Sequence, residues 1–460
     1  MNRFRLENTL KGQTFAVKAV MSAFNGKDDY DRVFDLLKAH HKWFNESLPL
    51  IASENVTSAA VKEAIVSDFG HRYAEGWPGE RVYAGCVYID EVERIAIKTA
   101  KQLFDAEFVD VRPVSGVNAN LVAYTVLANP GDTVMALSIP NGGHISYGRN
   151  ELGGTAGSVR GLKVEYLVFD QEQMNIDVDA TVAKVKKLQG EGKTPKLVIF
   201  GASVFLFPHP VKELASFFKS IGASVMYDGA HVLGLIAGKQ FQDPLREGVD
   251  VLTGSTHKTL PGPQGGMVIS WRRLENVIKR ATFPGNVSNH HLHHVAGKAV
   301  AFAEMLAFGR EYAAEVVKNA QALAEGLSTR GIPVFGEKLG YTKSHQVLVD
   351  VTKYGDGGTL EKKLESANII VNRNMIPLDI KAGRHFEHPG GLRFGVQELT
   401  RLGMGKSEMD HVASLIADVV VKGCEPLQVV EDVKELRRGF QKVMFSFDTQ
   451  KDAYAYVTIR

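Results

Sequence analysis

Lys258 stands in Gly254-Ser255-Thr256-His257-Lys258-Thr259, directly after the strand-like run Val249-Asp250-Val251-Leu252. Upstream, Val225-Met226-Tyr227-Asp228-Gly229-Ala230-His231 is a second apolar run, ending in an aspartate and a histidine. A lysine at one strand tip and an aspartate at another meet the needs of pyridoxal phosphate (PLP). The amine condenses with the aldehyde as a Schiff base, and the carboxylate keeps the pyridine nitrogen protonated so that the ring accepts electrons. A lone strand-end Asp or Lys is usually a solvated loop residue; the joint placement is what carries weight.

Other segments offer groups that such a site needs. Ser115-Gly116-Val117-Asn118-Ala119-Asn120 follows the strand-like Val109–Pro113 and opens a helix. Small residues there leave backbone N–H groups free for a phosphate, although an ordinary serine N-cap explains the same pattern. Ser255 and Thr256 could add hydroxyls. His144, in Asn141-Gly142-Gly143-His144, either stacks on a flat cofactor or fills a loop pocket. Arg393, in Gly391-Leu392-Arg393-Phe394-Gly395, sits among apolar residues and therefore needs an anion, either a substrate carboxylate or an internal partner. Leu50–Asn55 and Tyr73-Ala74-Glu75-Gly76-Trp77-Pro78-Gly79 are irregular and rich in polar aromatics, as functional loops often are. Asn289-His290-His291-Leu292-His293-His294 would set His290, His293 and His294 on one helix face. No further ligand or supporting shell is visible for a metal, so a site rim or subunit contact is the expectation.

Elements able to hold these groups recur along the chain. Helical periodicity marks residues 28–46 and 90–106. Between there and about residue 270, short β-branched runs (Thr133–Leu137, Lys163–Phe169, Lys196–Gly201, Ser224–Asp228, Asp250–Thr253) alternate with helical stretches. This pattern predicts an α/β core with a mainly parallel sheet, whose ligands bind beyond the strand carboxyl ends. A long helix is expected after Pro284. Beyond it, Val334-Phe335, Gln346–Val351, Ile369–Val371 and Leu392–Phe394 are expected to form a smaller sheet, covered by helices at about 359–366, 406–421 and 427–440.

Bulk properties exclude other classes. The 460 residues carry 54 Lys and Arg against 52 Asp and Glu, a net charge of +2, which gives no electrostatic reason for nucleic acid or a membrane surface as partner. Two cysteines, Cys86 and Cys424, make neither a disulfide framework nor a metal cluster and suit a reducing compartment. The N-terminal residues lack the apolar stretch of a secretory leader, and no apolar run spans a bilayer, so a cytoplasmic protein is expected.

Taken together, Leu50–Asn55, Tyr73–Gly79, Asp228–His231, Ser255–Thr259, Gly262–Gly266, Phe283-Pro284-Gly285 and Gly391–Gly395 resemble serine hydroxymethyltransferase, and details such as Pro140–His144 resemble its archaeal-type branch. The resemblance runs from about residue 30 to 450. It implies a fold-type I PLP-dependent transferase with a seven-stranded, mainly parallel sheet between helices and a smaller α/β C-terminal domain. The boundaries would be an N-terminal arm and helix to residue 48, a large domain over 49–305 and a small one over 306–460. It implies reversible transfer of the serine hydroxymethyl group to a reduced pterin by a homodimer with shared active sites. Lys258 would hold the cofactor, Asp228 its pyridine nitrogen, Ser115, Gly116 and Ser255 its phosphate, and His231 and Ser203 the region of its ring hydroxyl. Ser53, Arg393 and Asn374 would bind substrate, and His257 would assist beside the lysine. Glu75 and Tyr73 from a partner subunit would move protons at the hydroxymethyl group, with Tyr83 aiding exchange and carboxylate binding.

Four departures from the family pattern stand out. Val117 replaces a hydroxyl in the phosphate loop. Ser288 and Asn289 replace glycines that reach the neighbour's phosphate. The ring-stacking role is open between Asn141 and His144. Val82 stands where bacterial relatives pack a tyrosine on the folate tail, which brings a modified pterin into view. The rival on this scaffold is a threonine aldolase or transaldolase. A non-enzymatic binding protein would lack the lysine or the aspartate, and both are present.

Overall fold

The computed structural model describes residues 26–454; the rest of the expected N-terminal arm, residues 1–25, lies outside the described residues. Helix α1, Gly26–Asn45, begins with Asp28 and Asp29 and has Lys42 in its last turn, charges that complement the helix dipole. None of its side chains is buried: Tyr30, Val33, Leu36 and Leu37 are all at least 40% exposed. After α2, Val87–Phe104, the chain enters the central sheet at β1, Phe108–Asp110. Ser115 caps the next helix, α3, Gly116–Leu127, by accepting from the Asn118 N–H at 3.1 Å.

The sheet continues with β2, Thr133–Ala136, β3, Lys163–Tyr166, β4, Leu197–Gly201, β5, Ser224–Asp228, β6, Val251–Ser255, and β7, Gly266–Ser270. Their spatial order is β1-β7-β6-β5-β4-β2-β3, and only β7 runs antiparallel to its neighbours. β4, β6 and β7 are buried throughout, which is why they read as continuous apolar runs and not as alternating ones: helices cover both faces. In register, Gly201 lies beside Asp228 and Asp228 beside Thr253, so the parallel strands end together. Gly201 has φ +112°, and a Cβ there would meet the Asp228 carbonyl oxygen at 2.1 Å. Only glycine lets β4 turn away so close to the aspartate.

Helix α4, Leu292–Thr329, has 38 residues and spans about 57 Å. The boundary expected at residue 305 falls inside it, so the same helix buttresses both parts of the chain. The second sheet contains β8, Gln346–Asp350, β9, Asn372–Asn374, and β10, Gly391–Gly395, antiparallel in the order β8-β10-β9. It differs from expectation at two strands. Ile369–Ile370 pairs in parallel with Leu48–Pro49 instead, and Val334 makes only a bridge to Val349. The burial of Leu48, Leu50, Ile369 and Ile370 decides this, because it seals the segment before the Ser53 loop onto the second sheet's surroundings. Helices α5, Gly357–Ser366, α6, Lys406–Val420, and α7, Pro426–Arg438, follow within a few residues of their expected spans. Among the described residues no helix is long and apolar enough to cross a membrane.

Candidate active site

A cavity of about 210 Å³ opens at the carboxyl ends of β4, β5 and β6 and the N-terminus of α3. Ser115, Gly116, His144, Ser203, Asp228, His231, Ser255, His257 and Lys258 all line it. The end of the cavity at Ser115, Gly116 and Ser255 is tightly built: a Cβ on Gly116 would sit 2.4 Å from Ser255 Oγ, so a side chain there would displace that hydroxyl. Thr256 does not contribute as expected. Its hydroxyl is turned inward to the Pro263 carbonyl at 2.7 Å, closing the turn after Lys258. Lys258 itself is anchored through its carbonyl, which accepts from Asn55 Nδ2 at 2.6 Å. Desolvation, aided by the Arg393 charge and opposed by Asp228, lowers its ammonium to about 8. The free amine is therefore accessible near neutral pH.

The Asp228 carboxylate is oriented by two donors, Asn120 Nδ2 at 2.8 Å and the Ala230 N–H at 3.0 Å. Asn120 was not singled out from sequence, although it lies one turn into α3 from Ser115. It accepts from Thr253 Oγ1 at 2.6 Å and also donates to Ser146 Oγ at 2.9 Å. Ser146 Oγ is 2.8 Å from His144 Nδ1, which also accepts the Ser146 N–H. One asparagine thus fixes the acid and, through a serine, the histidine ring. Burial lowers the His144 pKa, with Lys258 and Arg393 adding to the effect against the pull of Asp228. Asn141 does not line this cavity; it borders a neighbouring groove.

A second, wider pocket of about 570 Å³ shares His144, Ser203, His231 and Lys258 with the first and adds Ser53, Asn374 and Arg393. Arg393 is 8% exposed. Its guanidinium donates to the Ser203 carbonyl at 2.6 Å and to Asn372 Oδ1 at 3.2 Å, both neutral acceptors. Desolvation alone lowers it to about 10, and among the described residues no carboxylate pairs with it. The internal salt bridge left open as an alternative is thereby excluded among these residues.

His231 is held by a residue that sequence reasoning missed. Gln346 Oε1 accepts the Phe205 N–H at 2.7 Å, which leaves its amide nitrogen to donate to the Ser203 carbonyl and to His231 Nδ1, each at 2.9 Å. His231 Nδ1 is then an acceptor, and the ring proton sits on Nε2. Burial, with Lys258 and Arg393 nearby, holds His231 far below its ordinary pKa, so the ring is neutral. Lys298, also missed, is buried and donates to the carbonyls of Val111 at 2.7 Å and Gly266 at 2.9 Å, with burial lowering it to about 7. Mid-helix lysines give no sequence signal of this kind. His257 lines the inner cavity with Nδ1 accepting weakly from the Gly265 N–H at 3.4 Å; burial and Lys258 lower it to about 4.

Tyr73, Glu75 and Tyr83 do not join Lys258 within one chain; they line neither cavity. Tyr73 and Tyr83 pack edge to face at 5.0 Å and are 49% and 45% exposed. Glu75 accepts from Ser288 Oγ, and Asn289 Oδ1 accepts from the Ala74 N–H at 2.9 Å, so the substituted 288–289 pair holds this loop. Arg81 braces it from below, donating to the Ala74 and Gly76 carbonyls and to Asp90 and Glu93. The histidine run behaves differently from expectation. α4 starts at Leu292, so His290 precedes the helix and turns inward to Glu93 at 3.2 Å, away from the face of His293 and His294.

A family model described as serine hydroxymethyltransferase matches residues 27–416. A protein of that name from Nitrosopumilus maritimus is 58% identical over 440 residues, 96% of this chain and 100% of the relative. One from Cenarchaeum symbiosum is 59% identical over 438 residues, covering 95% and 99% of the two chains. A third, from Methanopyrus kandleri, is 54% identical over 431 residues, covering 94% and 98%.

Proposed function

The chain belongs to the serine hydroxymethyltransferase family, and we propose that the cavity around Lys258 holds PLP and serves the interconversion of serine and glycine, with a reduced pterin carrying the one-carbon unit. The family is PLP-dependent, and the cavity fits the cofactor: the small residues and hydroxyls at Ser115, Gly116 and Ser255, the Lys258 amine and the Asp228 carboxylate all line it. The observation that carries the reading is Arg393, a buried cation with no carboxylate partner among the described residues, in the same pocket as that amine. A substrate carboxylate completes it. Threonine aldolase chemistry on this scaffold is not favoured, since the near-full-length relatives bear the hydroxymethyltransferase name.

When bound, PLP supplies the electron sink that makes the bonds at the substrate Cα labile. Lys258 would hold it, and its lowered pKa keeps part of the amine free of a proton. Asp228 keeps the pyridine nitrogen protonated. Neutral His231, donating from Nε2, and Ser203 address the ring hydroxyl, while His144 covers the ring. Arg393, with Ser53 and Asn374, fixes the substrate carboxylate and so aims the scissile Cα–Cβ bond. His257 keeps the Lys258 turn in place. Proton transfer at the hydroxymethyl oxygen falls to Glu75, with Tyr73, and Tyr83 helps at the carboxylate, all three delivered by a second copy of this chain.

The homodimer has physical support. The apolar stripe of α1 is uncovered in a single chain, as are Val82, Val87, Tyr88 and Ile95 around the Glu75 loop. Exposure on that scale marks a protein interface. The absence of a tyrosine at Val82 leaves room for a carrier other than plain tetrahydrofolate, and the cytoplasm suits both free cysteines. Purified protein should be saturated with glycine and titrated with reduced pterins one at a time, while absorbance and serine cleavage are followed. One pterin should perturb the glycine complex and support turnover. If none does, and threonine is cleaved faster than serine, the aldolase takes its place.

A further inference from the structure

Ser53 reaches the substrate pocket from the irregular segment after Leu48–Pro49, and the backbone around it is held by residues far away in sequence. The Leu50 carbonyl accepts the Gly395 N–H at 2.8 Å. The Ala52 carbonyl accepts from His345 Nε2 at 3.1 Å. Gln397 Nε2 donates to the carbonyls of Ile51 at 2.8 Å and Glu54 at 2.6 Å. The residues on both sides of Ser53 are thus gripped by two side chains. His345 directly precedes β8, and Gln397 opens the short helix Gln397–Arg401 just beyond β10, the strand that carries Arg393. The approach is close: a Cβ on Gly395 would sit 2.4 Å from Ala52 Cα. Gln397 holds the far end of the loop as well. Its carbonyl accepts from the Tyr312 hydroxyl at 3.2 Å, and that hydroxyl accepts from Asn55 Nδ2 at 2.9 Å.

Both side chains are fully buried, and each leaves one polar atom without a partner among the described residues: Oε1 of Gln397 and Nδ1 of His345. An unpartnered buried acceptor is a cost to folding, and an apolar side chain of similar size would fill either space without it. The side-chain donors of both residues go to this one loop. Burial lowers His345 to about 3 against the pull of the Ala52 carbonyl, so the ring is neutral and its proton sits on Nε2. The same ring lies nearly parallel to that of His231, at 17° and 5.6 Å between centroids. We propose that Gln397 and His345 are positioning residues for the substrate carboxylate: they fix Ser53 relative to Arg393, so that hydroxyl and guanidinium meet the carboxylate as one preformed receptor. The inference rests on the reading of Ser53 and Arg393 as the carboxylate site and extends it to two residues that line neither cavity. A receptor held by its own scaffold does not have to be ordered at the moment of binding, which is where the gain in affinity arises.

The test uses the full-length holoenzyme and three variants. Gln397→Leu keeps the size and removes both donors. His345→Phe keeps a flat ring without the donor, and His345→Gln keeps an amide donor without the ring. Calorimetry gives the Kd of glycine and of methylamine, an amine with no carboxylate, and steady-state assays give kcat and KM for serine. Gln397→Leu and His345→Phe should each raise the glycine Kd and the serine KM about tenfold. The methylamine Kd should change less than about twofold and kcat less than about threefold, because the carboxylate is held alike before and during bond cleavage. His345→Gln should recover most of the loss seen in His345→Phe. The two His345 variants carry the test should Gln397→Leu fail to fold. Equal losses for glycine and methylamine would make the pair a general support and overturn the proposal. So would a His345→Gln no better than His345→Phe, which would assign the effect to the ring and not to the donor. Arg393→Ala separates the two levels of the argument. If it too leaves glycine binding unchanged, the carboxylate reading falls and the clamp with it; if it weakens glycine while the clamp variants do not, the clamp alone falls.

Discussion

Replacing Arg393 with alanine should separate a substrate-binding cation from a structural one. Desolvation alone lowers its pKa from the ordinary guanidinium range to about 10, which corresponds to about 3 kcal/mol against the charged form. The charge survives at neutral pH, so that cost is carried by the protein without substrate. Two hydrogen bonds to neutral acceptors return about 1 kcal/mol each. Arg393→Ala should therefore leave stability in the absence of amino acid within about 1–2 kcal/mol of wild type, where loss of one partner of a true buried ion pair costs 3–5 kcal/mol or so. With substrate the balance reverses. A bidentate, charge-assisted grip on a carboxylate is worth about 3–5 kcal/mol, so kcat/KM for serine should fall by a factor between about a hundred and a few thousand. Arg393→Lys keeps the charge but loses the fork, and should recover only part of this. The assay compares serine with ethanolamine, which lacks the carboxylate. Wild type should discriminate strongly and Arg393→Ala hardly at all, with thermal denaturation run in parallel. A variant that keeps its preference for serine, or loses several kcal/mol of stability without substrate, would refute the assignment.

Mixed dimers test the shared site: combining Lys258→Ala with Glu75→Gln, each nearly inactive alone, should restore up to about a quarter of wild-type activity, since half the dimers then contain one complete site; no recovery under exchange conditions would count against sharing. Gln346→Leu removes the donor that fixes the His231 tautomer and should lower kcat/KM about tenfold or more, with Gln346→Asn recovering little because it cannot span both contacts. Capture of added PLP by the cofactor-free protein should quicken about tenfold per pH unit and level off near 8, because desolvation lowers the Lys258 ammonium from 10.5 and frees the amine earlier. Arg393→Ala should move that plateau upward, since the arginine charge contributes to the lowering; a plateau above 10 in wild type would contradict the burial of the amine.

The meeting of Lys258 and Asp228 in one cavity was legible because its signals are local. Lys258 and Asp228 each follow an apolar strand run, and parallel strands in one sheet bring their carboxyl ends to one edge whatever the intervening loops do. The groups that aim the pair were not legible. Asn120 reaches Asp228 across 108 residues, and Gln346 reaches His231 across 115, from a different sheet. Neither carries a local pattern, since asparagine and glutamine are ordinary surface residues until burial forces them to find partners. His290 shows the converse. Its sequence neighbours suggested a shared face, but the helix begins two residues later, and the buried Arg81–Glu93–Arg112 cluster draws its ring inward.

Residue type and order alone determined the chemistry open to this chain, because covalent tethering, ring protonation and phosphate binding demand particular functional groups just past strand ends. Only the tertiary structure decided that Arg393 has no carboxylate partner among the described residues and that His231 is neutral with its proton on Nε2. It also decided that the Glu75 loop lies outside the two cavities that its own Lys258 lines. Charge state, tautomer and direction depend on what fills the space around a group once water has been excluded, and neighbours distant in sequence set that.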